Sequence, residues 1–321
     1  MNLSTFEVKK VFFAQLFILG FVFFIPLSVS LKTVFLVAAL FLILITPSLN
    51  QNLWFACTSL WGRMALILFG FILIACLWSP APYSYQALAL GKYLKLLYLP
   101  ILAVGFMNPQ MRRSAINVYL LAMVLTSLAS IIKSLGYFTA TEPGTLAYNY
   151  IITGFMMALA SYFAGIYFSK SKSWWRILYS IVFFLTSYQV LFINKGRTGY
   201  LIYFVLMCFL LVQSFSFKKA LVALTVFCSV FGVVYSLSGT MQFRVHAFAN
   251  EIRSLQNKQK DTSLGYRVQF HYYSKTLFKE NTWIGLGTGG FRYRFAKDNP
   301  IPSWGIGTAD PHSQYWMMLS E

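Results

Sequence analysis

Acidic residues are scarce in this chain: eight Asp and Glu stand against 26 Lys and Arg in 321 residues. Charged residues of both signs make up 11%, where a soluble domain carries about 25%. That shortage, with 58% hydrophobic residues, excludes a soluble globular protein. The carboxylates that exist are well separated, and no DxD, HExxH or HxH pattern occurs. A clustered metal site of the kind a metal-dependent transferase needs is therefore not expected. Only four cysteines are present (Cys57, Cys76, Cys208, Cys228), all in or beside apolar runs. They read as small buried hydrophobes, not as a disulfide framework or thiolate site. Gly285, Gly287, Gly289 and Gly290 are followed by no GK[ST], which excludes a nucleotide-binding loop and leaves a tightly packed turn. No acid falls inside the expected apolar spans, so the usual mark of a proton-coupled transporter is missing.

What fills the chain is apolar sequence in runs long enough to cross a bilayer, about 20 residues each. We read nine spanning segments, near 11–30, 33–47, 62–78, 88–106, 114–132, 146–168, 174–193, 198–213 and 218–237, with a tenth beginning near His312. The strands of a transmembrane barrel would alternate over about 10 residues, and they do not. The expected class is all-α: a polytopic helical bundle over 1–237, a polar loop over 238–311, and the start of a further helix over 312–321. The sequence stops before that helix could cross, so a longer protein is expected. The net charge of +18 is spread over short inter-helix loops, which points to membrane orientation and not to nucleic acid. With the N-terminus inside, ten basic residues fall on inner loops and six on outer ones. This bias places the long loop outside, in the periplasm of a Gram-negative cell.

The loop concentrates the polar chemistry: it holds 10 of the 26 basic and 5 of the 8 acidic residues, with two of the three histidines. Residues 241–257 space Val245, Phe248, Ile252 and Leu255 at helical intervals, and residues 264–279 do the same with Val268, Tyr272 or Tyr273, and Leu277. Two amphipathic helices on the bundle or the membrane surface are expected. The glycine-rich WIGLGTGGF (283–291), the basic-aromatic FRYRFAKD (291–298) and DPHSQYW (310–316) follow.

Three side chains stand out. Arg197, in NKGRTGY, reads either as an interfacial anchor or as a bidentate clamp on a phosphate oxygen. In the second case Gly196 and Gly199 would let a head group approach the backbone, beside the free N–H groups of a helix start. Arg267, in GYRVQF, reads either as a solvated helix face or as part of a sugar site with Tyr266, Gln269 and His271. His312 follows Asp310 by two residues at a helix start, where a neutral imidazole could take a proton from a hydroxyl. Its rivals His246 and His271 read as structural. Phe291, Tyr293, Phe295 and Trp304 are suited to sugar stacking or to an interfacial belt.

Taken in order, GRTGY, a large loop with YR and WIGLGTGGF, and PHSQY resemble the bacterial O-antigen ligase and O-antigen polymerase superfamily. Trp78-Ser79-Pro80 is similar to that family's early outer loop. The resemblance implies an inner-membrane glycosyltransferase without metal or nucleotide cofactor. Such an enzyme moves a glycan from an undecaprenyl-diphosphate carrier to a lipid A-core hydroxyl, with inversion at the anomeric carbon. It also implies that Arg197 and Arg267 bind the donor diphosphate and that His312 is the base. The family's third position after Pro-His is Asn, and here it is Ser313. The RTG element favours ligase; polymerase and protein O-oligosaccharyltransferase share the motifs, and a lipid-linked-oligosaccharide transporter would use the same basic residues without needing a base.

Overall fold

The computed structural model describes residues 5–137, 144–307 and 310–321 and is all-helical, with no strand among the described residues. In chain order the helices are α1 (Thr5–Phe24), α2 (Val29–Ile45), the short α3 (Pro47–Asn50) and α4 (Leu53–Thr58), α5 (Leu60–Ile74), α6 (Tyr83–Gly105) and α7 (Pro109–Ser134). Then come α8 (Tyr150–Lys170), α9 (Ser173–Tyr188), α10 (Arg197–Ser214), α11 (Phe217–Leu237), α12 (Gly239–Gln256), α13 (Ser263–Glu280), α14 (Gly290–Asp298) and α15 (Gln314–Ser320). A single 3₁₀ turn continues α5, and a π turn, Gln189–Ile193, continues α9. Among the described residues seven helices are long and apolar enough to cross a membrane, or eight if α2 and the α3–α4 segment, bent by 87°, form one span. This is a polytopic helical membrane protein. The sequence suggested nine spans. α1, which takes the place of the first, has Glu7, Lys9 and Lys10 in its opening turns and is not among the seven.

Helix starts follow local side-chain chemistry. Asn149 accepts from the N–H groups of Ile151 and Ile152 to open α8. Thr262 accepts from Gly265 N–H to open α13, and Asn108 followed by Pro109 opens α7. Such caps satisfy donors that the helix itself cannot, at about 1 kcal/mol each.

The chain packs as two compact units, Met1–Thr46 with Gly105–Ala247, and Pro47–Val104 with Phe248–Glu321. The division follows packing and not the hydropathy step at 237, since α12 begins in the first unit and ends in the second.

Unit one is held by close helix approach. α8 buries Gly154, Ala158, Ala160, Ser161 and Ala164. A Cβ on Gly199 of α10 would stand 3.2 Å from the Cα of Gly154. Small residues let backbones touch where lipid supplies no hydrophobic drive. A buried hydroxyl chain joins α8 and α10 to α9: Ser161 and Thr186 are 2.8 Å apart, and Tyr203 donates to Ser187 at 3.0 Å. α11 turns Val222, Val226, Val230 and Val233 outward, as a lipid-facing helix does.

Unit two is built around aromatics. Phe270, Leu277, Leu286, Phe291, Phe295, Ile301 and Met317 form its core. The inward stripe of α13 is Phe270, Ser274 and Leu277, with Tyr273 packed beside it; of the expected residues Leu277 and Tyr273 face the core, and Phe270 and Ser274 were not foreseen. Ser274 fits because its hydroxyl folds back onto the Phe270 carbonyl at 2.8 Å, and Tyr272 is exposed. α12 forms where expected, with Val245, Phe248 and Ile252 left uncovered.

Candidate functional site

The glycine-rich turn 284–289 is the anchor of unit two. Gly285, Gly287 and Gly289 all have positive φ, between 65° and 80°, a conformation side chains resist. The turn is pinned from one side by residues 200 positions earlier. Trp78 Nε1 donates to the Ile284 carbonyl at 3.1 Å, Ser79 Oγ to the Thr288 carbonyl at 2.8 Å, and Thr288 Oγ1 to the Ile72 carbonyl at 2.6 Å. From the other side, Leu286 and Gly287 N–H donate to the carbonyls of Ser320 and Glu321 at 3.0 and 2.7 Å. A Cβ on Gly287 would lie 2.6 Å from the Ala75 carbonyl oxygen. The glycines thus serve packing, as the missing GK[ST] implied. Trp78-Ser79 and the glycine turn, read as separate motifs, are one structure.

The segment that leaves this core carries His312. Its backbone sits at φ 53°, in the left-handed region, which costs on the order of 1–3 kcal/mol for a side-chain-bearing residue and is commonly retained at functional sites. What holds it is Asp310, whose Oδ1 accepts from the His312 N–H at 3.0 Å and stands 3.8 Å from His312 Nδ1. Asp310 is itself paired with Lys92 at 3.3 Å. The imidazole packs beside Phe270 and Trp304, ring centroids 5.5 and 6.4 Å away, and remains half exposed. Ser313 caps α15 through the Trp316 N–H, a task Asn performs equally well.

Arg267 and His271 lie one turn apart on α13, and the charges of Arg267 and His312 both reach His271. Burial, and then the charges of Arg267 and His312, push the His271 imidazole below its ordinary pKa. His271 Nε2 is shut off from solvent without a hydrogen-bond partner. The structure therefore brings Arg267, His271 and His312 together. Sequence reasoning set His271 aside as a base but named it beside Arg267 as a possible sugar-site residue, and its i, i+4 spacing from Arg267 agrees with that grouping. His246 is exposed on α12.

Of the aromatics considered for sugar stacking, Phe291 and Phe295 are fully buried core residues and unavailable. Tyr293 packs edge-on against Tyr85, which leaves Trp304, 43% exposed beside His312. The basic run around them is partly committed as well: Arg294 pairs with Glu280 and Asp298 at 3.3 and 3.2 Å.

Arg197 belongs to unit one, where it is the first residue of α10. Its position is set by fully buried Asn194. Asn194 Nδ2 donates to the Tyr150 carbonyl at 2.8 Å, its Oδ1 accepts from Gly196 N–H, and its carbonyl accepts from the Tyr200 hydroxyl. The room beside Gly196 and Gly199, expected to admit a head group, is taken by protein. A Cβ at Gly196 would meet the Tyr150 carbonyl at 3.0 Å, and one at Gly199 would meet Gly154. These glycines allow the knot and the helix crossing, not ligand approach.

Among the described residues no three His, Cys, Asp or Glu gather as metal ligands.

Residues 181–321 match the O-antigen ligase family model, a span that includes Arg197, Arg267 and His312. Over this region, somewhat less than half of the chain, it is similar to the O-antigen ligase family. Neither curated proteins nor solved structures gave a match.

Proposed function

We propose, from the family match over residues 181–321, that the protein is an O-antigen ligase of the bacterial inner membrane, with its N-terminus cytoplasmic and the 238–311 loop periplasmic. Its donor is a glycan on undecaprenyl diphosphate, and its acceptor is a hydroxyl of lipid A-core. The observation that carries this reading is the convergence of His312, Arg267 and His271 in the matched region.

The reaction needs a base for the acceptor hydroxyl and positive charge for the departing diphosphate. His312 takes the proton. With Nδ1 turned toward Asp310, Nε2 is the nitrogen left for the hydroxyl. The acceptor oxygen attacks the anomeric carbon on the face opposite the diphosphate, the carbon–oxygen bond to phosphate breaks, and the configuration inverts. Arg197 and Arg267 hold the diphosphate and spread its growing charge, each worth on the order of 3 kcal/mol in the transition state. Trp304, beside His312, offers a stacking face to a sugar.

The cellular test is the lipopolysaccharide pattern of a strain lacking this protein, complemented with wild type or His312→Ala. Bare core with polymer accumulating on the carrier, rescued only by wild type, is expected. Core capped by a single repeat would instead mean a polymerase, and an unchanged pattern would overturn both.

A further inference from the structure

We infer that Arg244 is a further cation of the anion site that opens at Arg197, taking an oxygen of a phosphate or diphosphate ester; the inference deepens the donor-binding reading above and rests on it. Arg244 lies on the second turn of α12, within unit one. Its guanidinium stacks over the Tyr150 ring at 5.6 Å and lies 5.7 Å from the Phe243 ring. Its Nε is closed to solvent and has no hydrogen-bond partner among the described residues. Tyr200 lies one turn into α10 from Arg197. Tyr150 and Tyr200 are the two residues that Asn194 ties to the start of α10. The cation therefore rests on the same knot that places Arg197.

A snorkelling arginine leaves its head in water with its nitrogens hydrated. Here a planar fork is flanked by aromatic rings with one nitrogen desolvated, and a desolvated donor left unmade is costly. Carboxylates to complete it are rare, since unit one has 14 basic residues and two acidic ones, Glu7 and Glu142. Two oxygens of one phosphate carry the charge and accept the two parallel N–H bonds that a guanidinium fork donates.

The phosphate could belong to the lipid-linked donor or to a bilayer headgroup, and one experiment separates them. The full chain in phosphatidylcholine nanodiscs is titrated with undecaprenyl diphosphate and, separately, with phosphatidylglycerol. The proteins compared are wild type, Arg244→Gln, Arg244→Lys and a control, Arg176→Gln. Arg176 also stacks on a ring, Phe168, at 4.7 Å, but near the opposite end of α8. Arg244→Gln is expected to weaken undecaprenyl diphosphate binding about 10-fold or more, with Arg244→Lys restoring only part and Arg176→Gln unchanged. In transfer assays the donor KM should rise while kcat moves less. If wild type binds the diphosphate and Arg244→Gln binds it equally well, with phosphatidylglycerol also unaffected, Arg244 is not an anion ligand and the donor reading stands. If only phosphatidylglycerol weakens, Arg244 takes a headgroup phosphate. If wild type binds no diphosphate while that headgroup dependence persists, the donor reading fails and the assignment of Arg244 to phosphate survives. Binding of neither lipid by wild type overturns the inference.

Discussion

The two units solve the problem of building a site in different ways. Unit one packs small residues and hydroxyls along α8 and α10, so its precision comes from backbones in contact. Unit two packs seven large side chains around a turn of left-handed glycines and fastens that turn to two distant segments. In the first, a cation is set by one buried Asn. In the second, an imidazole is held in a strained backbone by an aspartate and an aromatic wall. Small-residue packing places the cation through backbone contact, and the pinned turn places the imidazole through a strained backbone.

The comparison breaks most sharply at the base. His312→Ala in unit two should lower transfer about 100- to 10,000-fold while the protein still inserts, checked by rate in purified protein and by membrane fractionation. Removing a grip should cost less. Arg197→Lys and Arg267→Lys should each lose roughly 10- to 100-fold, since lysine cannot reproduce a two-point contact; equal activity of the lysine variants would remove the clamp. On stability, Gly287→Ala should destabilise by about 2–4 kcal/mol, from positive φ and a Cβ driven onto the Ala75 carbonyl. Gly70→Ala in α5, where a Cβ meets nothing within 4 Å, should be neutral or stabilise by up to about 1 kcal/mol. Unfolding midpoints in detergent compare the two.

The smallest effect is a pH dependence. His271 is held below its usual pKa of 6.5, so as pH falls through that value the unfolded chain takes up a proton that the folded chain refuses. Wild type should therefore lose stability relative to His271→Asn between pH 7 and pH 5, and a difference that stays flat would show that His271 titrates as a free histidine.

Much of the scaffold is written in local sequence. Apolar runs place the spans, and the spacing in 241–257 and 264–279 places α12 and α13, because helix period is a near-neighbour property. The exceptions have physical causes. On α13, Leu277 and Tyr273 were foreseen on the inward face, but Ser274 was not, because it looks polar until its hydroxyl is seen bonded to its own helix. Phe291 and Phe295 look like stacking platforms until Leu286 and Met317 are found packed with them. The bonds from Trp78 and Ser79 to the glycine turn span more than 200 residues, and no periodicity encodes a contact of that range. The role of Asn194 was invisible for a related reason: one buried amide joins two helix starts, and single-sequence patterns do not mark it. Arg197, Arg267 and His312 were legible as residue types in context. The closeness of His271 to the latter two, and the left-handed backbone of His312, required the fold.

The most direct measurement of the central claim is single-turnover transfer from a synthetic undecaprenyl-diphosphate glycan to a lipid A-core acceptor, with wild type and His312→Ala in nanodiscs at saturating donor. The account predicts inverted product from wild type, and donor binding without turnover from the variant. Equal rates for the two proteins would contradict it.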